Sequence, residues 1–242
     1  AETDGVIAKL TVSYRTDNDV LIYGTYSEGF RPGLLNRPGG AAKGEYIVPF
    51  AVDSDDVTNI EIGWKADLLD GSMRFNGNIF FVDVEKMQTT MFDPGITNLF
   101  FSDNAANAEV KGLEADLLWA PNRIDGLTIS AAVSFLDTEV TDVLLPSNDV
   151  RAGDELAYAP EFQGNLQARY EWDIASGLLA HVMPSLATTS KSYSDIIRMN
   201  RDEIGSWTML GLSAGVSSDT WTAELYVDNL TDERAEIARN FV

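Results

Sequence analysis

The 242 residues hold 38 Asp and Glu against 17 Lys and Arg, a net charge of −21, and so acidic a chain repels phosphate backbones, which excludes nucleic acid as a partner. With no cysteine and one histidine, a disulfide framework and a thiolate zinc site are excluded too. No apolar run reaches the length of a membrane-spanning helix and the mean hydropathy is −0.09; this excludes a helical membrane protein and leaves a β-barrel open, because only alternate residues of a barrel strand meet lipid.

From the N-terminus the pattern predicts about ten strands, over 6–15, 19–28, 56–67, 72–86, 108–120, 126–139, 161–172, 178–190, 203–216 and 220–229. In 57–68, Ile60, Ile62, Trp64, Ala66 and Leu68 alternate with Asn59, Glu61, Gly63, Lys65 and Asp67. In 72–82, Met73, Phe75, Gly77, Ile79 and Phe81 alternate with Arg74, Asn76 and Asn78, with Phe80 the exception. The runs 110–119, 127–135, 162–172 and 221–228 repeat the pattern, as in Leu113, Ala115, Leu117, Trp119 against Gly112, Glu114, Asp116. A period of two with one apolar face and one charged face means strands between two solvents, since unpaired mid-strand charges cost several kcal/mol away from water.

A soluble sandwich also separates its faces in this way. It does not account for apolar runs of roughly nine to eleven residues, the length a tilted strand needs to cross a bilayer, nor for the aromatic residues at their ends. Tyr14, Trp64, Trp119, Trp172 and Trp221 each lie near a short turn rich in Gly, Asp, Asn, Ser or Pro. Connections alternate short (15–19, 67–71, 121–126, 173–177, 217–219) and long (29–54, 88–107, 140–160, about 191–202). That alternation matches tight periplasmic turns and long extracellular loops. The expected fold is therefore all-β, an antiparallel transmembrane β-barrel, with the Tyr and Trp set as the periplasmic membrane-interface girdle and Phe81, Phe135 and Phe162 at the outer interface.

Four motifs carry a family resemblance. They are Leu21 to Gly33, an aromatic strand running into Gly29-Phe30-Arg31-Pro32; Asn104 to Asp116, with Val110-Lys111-Gly112-Leu113-Glu114; Ala159-Pro160-Glu161-Phe162; and Val227-Asp228-Asn229-Leu230-Thr231-Asp232. In this order, across nearly the whole chain, they resemble the TonB-dependent outer-membrane receptors. The resemblance implies a barrel of about 22 strands with a plugged lumen, located in the cell outer membrane and in contact with its lipid bilayer. It also implies a periplasmic energy-transducing protein as partner, engaged through an N-terminal region missing here. The cargo implied is a scarce, large nutrient: a siderophore-metal chelate, a cobalamin-like compound or an oligosaccharide. With about ten strands, no plug candidate, no leader before Ala1 and no closing aromatic strand after the Asn-Leu-Thr-Asp segment, residues 1–242 are expected to be the C-terminal part of the barrel, plug and final strand absent.

Such a receptor does no chemistry on its ligand, so neither a catalytic residue nor a cofactor is expected. The candidate ligand contacts are loop aromatics and cations able to stack and hydrogen-bond: Phe30, Arg31, Arg37, Tyr46, Phe92, Phe100, Phe101, Tyr158, Tyr193, Arg198 and Arg201. Each has an alternative role in loop packing, and the basic set Arg31, Arg37 and Lys43 reads first as solubility and second as contact with an anionic ligand or lipopolysaccharide. A ten-stranded outer-membrane protease would need its histidine at the outer rim, whereas His181 falls near a periplasmic turn. No Gly-x-Ser-x-Gly elbow is present. Asp53, Asp55 and Asp56 have the ligand chemistry for Ca²⁺, or form an acidic solvated loop, and no metal site is expected. A passive porin and an acidic β-sandwich for binding or adhesion are the competing functions.

Overall fold

A computed structural model describes residues 5–37, 46–92, 96–145 and 149–239. In chain order the strands are β1 (Lys9–Arg15), β2 (Val20–Arg31), β3 (Leu34–Leu35), β4 (Ala51–Val52), β5 (Asp55–Leu68), β6 (Met73–Met91), β7 (Phe101–Trp119), β8 (Leu127–Val143), β9 (Phe162–Ala175), β10 (Leu178–Thr189), β11 (Ser192–Tyr193), β12 (Glu203–Ile204), β13 (Trp207–Ser217) and β14 (Thr222–Val227). Ten of them form one sheet in the order β1-β2-β5-β6-β7-β8-β9-β10-β13-β14, while β3/β4 and β11/β12 are two-residue ladders within long connections. Every pairing is antiparallel between sheet neighbours that follow one another along the chain. The sheet is an open meander, since β1 and β14 do not pair with each other.

The register brings the alternation of each strand into lateral rows. One row runs Gly24, Ile62, Ile79, Leu113, Phe135, Phe162, and the adjoining one on the same face runs Ile22, Trp64, Gly77, Ala115, Val133, Gly164. The opposite face carries Leu21, Lys65, Asn76, Asp116, Ala132 and Asn165, then Tyr23, Gly63, Asn78, Glu114, Ser134 and Gln163. Among the described residues no second sheet covers the apolar face, and Ile62, Ile79 and Phe135 are exposed on it. Contiguous apolar exposure on this scale marks a surface that meets lipid. From Ile60 to Leu68 the apolar side of β5 spans about 26 Å at 3.3 Å per residue, or roughly 20 Å of bilayer after a tilt of about 40°. The β-sandwich alternative, which needs its tryptophans between two sheets, does not fit.

By register Tyr14, Trp64, Trp119 and Trp172 fall on the lipid face, but not on one ladder row, and Trp221 lies just before β14. Trp119 sits beside a turn opposite Met73, whereas Trp64 is further up, opposite Gly77. Because barrel strands tilt, ladder rows run oblique to the membrane plane and residues of different rows share a depth. Trp172 stacks on Tyr170 at 5.5 Å, Trp64 tilts against Phe75 at 5.6 Å and covers Gly77, and Trp221 and Tyr14 are exposed. At the other belt, Phe135 and Phe162 are 4.8 Å apart.

The strands extend beyond their expected ends on the long-loop side. β6 continues to Met91, β7 starts at Phe101 and β8 continues to Val143, so that most of 88–107 is a hairpin rising above the membrane and not a loop. The alternation that marks a lipid-facing strand disappears there because lipid no longer contacts either face. The expected strand 203–216 divides into β12 and β13, and the end strands are shorter than expected, at Lys9–Arg15 and Thr222–Val227. Apart from Ala66, Ala180, Val52, Ala108 and Ile204, every buried apolar residue among the described residues belongs to one cluster at this end, made of Met91, Ile96, Phe101, Ala105, Ala106, Val140, Leu145, Val150, Ile196 and Ile197.

At the short-turn end, positive φ is absorbed by Leu69, Asp70 and Gly71 in one hairpin and by Gly177 in another. Gly126, with φ of 80°, faces a tighter constraint, since an added Cβ would fall on the carbonyl oxygen of Glu171, whose amide donates to the Gly126 carbonyl at 2.9 Å. Gly126→Ala in the full-length protein is expected to destabilise the barrel by about 1–3 kcal/mol, whereas Gly205→Ala, at an open site with ordinary φ, is expected to be neutral. Urea-driven unfolding from bilayers measures both.

Candidate ligand-binding site at the long-loop end

The resemblance motif Gly29-Phe30-Arg31-Pro32 ends β2, and its arginine is held by the sheet. The Arg31 guanidinium pairs with the fully buried carboxylate of Asp55, its Nε donating to Oδ2 at 2.8 Å, while its backbone amide donates to Oδ1 at 3.1 Å. The Gln88 amide donates to the same Oδ2 at 3.1 Å, and Arg31 Nη2 reaches the Gln88 carbonyl at 3.0 Å. Burial alone would raise the pKa of Asp55, which sits above the apolar span; hydrogen bonds from Arg31 and from the amides of Gln88 and Arg31, with the arginine's charge, outweigh it and hold the carboxyl below its ordinary range. The Gln88 side chain then donates to the carbonyls of Pro32 and Asp53, at 3.1 and 2.9 Å, pinning both ends of the connection between β2 and β5. Asn36 extends the clamp: its Nδ2 donates to the carbonyls of Pro49 and Ser102, and its Oδ1 accepts from the Ser102 amide. Asn104, from the second motif, donates to the carbonyls of Asp53 and Lys86.

A second assembly joins the connections after β8 and β10. Arg198, in a short 3-10 helix (Arg198–Asn200), makes a two-pronged pair with Asp154 at 3.0 and 2.5 Å, a geometry that fits guanidinium to carboxylate. Arg201 donates to the carbonyls of Glu155 and Asp195 and lies 3.8 Å from the centre of the Tyr193 ring. The Tyr158 amide donates to the Tyr193 carbonyl at 2.7 Å, and its hydroxyl donates to the carbonyl of Arg239. Asn200 Nδ2 donates to the Phe92 carbonyl at 2.8 Å, tying this assembly to the tip of the β6–β7 hairpin.

The structure thus brings Tyr158, Tyr193, Arg198 and Arg201 together, with Phe92 alongside, and employs both of these arginines in holding loops. Phe101 is buried in the apolar cluster, and Tyr46 packs against it with ring centres 6.3 Å apart and a buried hydroxyl that has no hydrogen-bond partner among the described residues. Phe30 lies apart, its ring against Gly5. Arg37 is exposed, and Lys43 lies outside the described residues. Phe92 and Phe100 form a tilted pair with centres 5.2 Å apart, in which Phe100 is 68% exposed; Tyr158 is also exposed. A half-buried Phe92 backing an exposed Phe100 on a well-anchored hairpin offers stacking area at small entropic cost on binding.

The clamping groups Asp55, Gln88, Asn36, Asn104, Asp154 and Asn200 have no spacing signature. Only Asn104 stood within a recognisable motif. Of the three clustered aspartates, Asp55 is committed to Arg31 and Asp53 pairs with Lys86 at 3.5 Å, and no His, Asp or Glu group able to hold a metal occurs among the described residues. His181, on β10 near the Ser176–Gly177 turn, bonds to Glu224 at 2.7 Å on the polar face.

The family model for the TonB dependent receptor-like β-barrel matches residues 2–230, and the chain belongs to that family of outer-membrane proteins. Solved structures with the same fold include the ferric yersiniabactin uptake receptor FyuA from Yersinia pestis, 17% identical with a TM-score of 0.73 over 95% of this chain and 33% of that one. The siderophore receptor PiuA from Acinetobacter baumannii is 19% identical, with a TM-score of 0.68 over 93% of this chain and 32% of that one. The ferric preacinetobactin receptor BauA, also from Acinetobacter baumannii, is 18% identical, with a TM-score of 0.67 over 93% and 32%. The chain therefore spans about a third of the length of these receptors.

Removing the Asp55 carboxylate leaves Arg31 without its main partner and frees both ends of the β2–β5 connection. Asp55→Ala is expected to cost about 1–3 kcal/mol locally, because it strands the Arg31 and Gln88 amides while the Arg31 guanidinium, 58% exposed, regains water, and hydrogen exchange in the full-length protein should show lost protection at Arg31, Asn36, Gln88 and Ser102 with the mid-membrane strands unaffected.

Proposed function

We propose that this chain forms the C-terminal part of the barrel of an outer-membrane active-transport receptor that takes up a metal chelate of the siderophore class. The observation that carries this reading is the anchored long-loop end, where an apolar cluster and two arginine–aspartate clamps hold an aromatic pair, its Phe100 exposed, above the membrane. A barrel that only let solutes diffuse through would need no such preorganised wall. The family match supports it, as do the solved neighbours, which are receptors for ferric yersiniabactin and ferric preacinetobactin.

On this reading the ligand meets Phe92, Phe100, Tyr158 and Arg37, the candidate contacts that are not spent entirely on packing. Arg31, Arg198 and Arg201 act indirectly by fixing the loops. Binding needs stacking, hydrogen bonds and charge and no bond-making, so the protein is a transporter without catalytic residues. Release requires work: a plug within the lumen is displaced by force from a periplasmic energy-transducing protein, and the polar wall of Lys65, Asn76, Asn78, Glu114 and Asp116 is the surface against which it sits.

In a strain carrying the full-length receptor, Phe92→Ala with Phe100→Ala is expected to weaken binding of the cognate chelate about tenfold or more, in line with the loss of two aromatic anchors, while the barrel still assembles. Uptake of radiolabelled ferric chelate should stop when the inner-membrane gradient is collapsed, with surface binding retained. Uptake that continues without the gradient would instead indicate passive diffusion.

A further inference from the structure

Trp207 is the one tryptophan outside the girdle set, and the register puts it on the polar face: it pairs with Thr189, and Thr189 with Gln163, at the end of the row that runs Asn78, Glu114, Ser134, Gln163. Gln163, Thr189 and Trp207 line a broad hollow of about 600 Å³ over that face and also a smaller cavity of about 110 Å³, whose further walls include Tyr158, Glu236 and Ile237. The chain after β14 therefore folds back across the polar face and covers a tryptophan there. Its root is fixed, since the Leu230 amide donates to the Leu210 carbonyl at 2.8 Å and Asn229 and Glu233 exchange bonds at 2.9 and 3.0 Å. Its far end is held lightly. Among the described residues, the polar contacts that 234–239 make beyond their own segment are the Tyr158 hydroxyl on the Arg239 carbonyl at 2.7 Å and an exposed ion pair of Arg239 with Asp202 at 3.8 Å; Ile237 is 77% exposed. Tyr158 has φ of 55°, a left-handed backbone that bulky residues rarely adopt, and its amide is tied to the Tyr193 carbonyl, so a strained residue aims one hydroxyl at one carbonyl of the segment.

We propose that residues 233–239 are a strap that closes, without ligand, over a stacking subsite formed by Trp207 and Tyr158, and that ligand entry lifts it. This deepens the transport reading, on which it rests for the ligand's place at this end of the barrel. With the strap down, the 110 Å³ left beside Trp207 is less than the roughly 150 Å³ that takes one benzene ring, so no aromatic group can stack there. With it lifted, Trp207 opens onto the larger hollow and the Tyr158 hydroxyl is freed to bond the ligand. The subsite then suits a planar, unsaturated group of the chelate with a hydrogen-bond acceptor at its edge. One hydrogen bond and one exposed ion pair are a small resistance to entry, and the bonds at the root keep the strap in place to close again.

The test compares the full-length receptor with its Y158F variant, which keeps the ring and the amide bond to Tyr193 and should assemble normally. Hydrogen exchange at 235–239 should quicken about fivefold in Y158F, the effect of one lost hydrogen bond, with β13 unchanged. Acrylamide quenching of Trp207, isolated as the difference from W207F, should be weak in the wild type and rise in Y158F. Equal exchange in the two proteins, equal quenching of Trp207, or exchange that quickens across β13 as well overturns the proposal. With ferric yersiniabactin, ferric preacinetobactin and a ferric trihydroxamate as probes, a chelate that the wild type binds should associate about fivefold faster with Y158F, in proportion to the fraction of open strap; unchanged or slower association overturns the gating. Binding of none of these by the wild type counts against the transport reading alone, and exchange and quenching still decide the strap.

Discussion

Inside a bilayer no water is at hand to satisfy a peptide group, and everything else in this structure follows from that constraint. Each N–H and C=O at membrane depth has to find a partner strand, which is why the crossing part is one continuous antiparallel ladder from β1 to β14. A sheet that satisfies its backbone in this way is free to place different side chains on its two faces. One face then follows lipid, in rows such as Ile62, Ile79, Leu113 and Phe135, and the other follows water, in rows such as Asn78, Glu114, Ser134 and Gln163.

Because such a sheet has no interior of its own, the core of the protein moves elsewhere. Packing in the usual sense begins where the strands leave the membrane and their lengths diverge. There Met91, Phe101, Val140, Leu145, Val150 and Ile197 close over one another, and ion pairs with one buried partner do work that surface pairs do not. Surface salt bridges contribute little on average, whereas loss of the buried Asp55 carboxylate would leave the amides of Arg31 and Gln88 without their acceptor. The anchoring arginines thus convert long connections, which would otherwise lose entropy on meeting a ligand, into a wall already ordered before binding.

The girdle shows how strand tilt modifies a sequence pattern. Trp64 and Trp119 each precede a short turn, yet they occupy different ladder rows, and only the oblique run of rows across a tilted barrel reconciles their positions. Gly77 and Gly112 have a related role: aromatic rings from the neighbouring strand, Trp64 and Phe80, lie over them and fill the gap left by the missing side chain. Phe80, which breaks the alternation of its strand, is explained by this placement over Gly112 on the polar face.

The period of the strands, the site of every short turn and the division of the chain between lipid and water are legible in the residues alone, because they depend on contacts between residues close in sequence or on the solvent each face meets. The four motifs added the family. Which loop residues are spent on holding other loops depends on pairing across the fold. Arg31, a candidate ligand contact by sequence, donates to Asp55, 24 residues away, and Phe92 is joined to Asn200 across a separation of 108 residues. Pairing over such distances follows from the order and register of the sheet, and an arginine that will meet a ligand has the same local neighbours as one that will hold a loop.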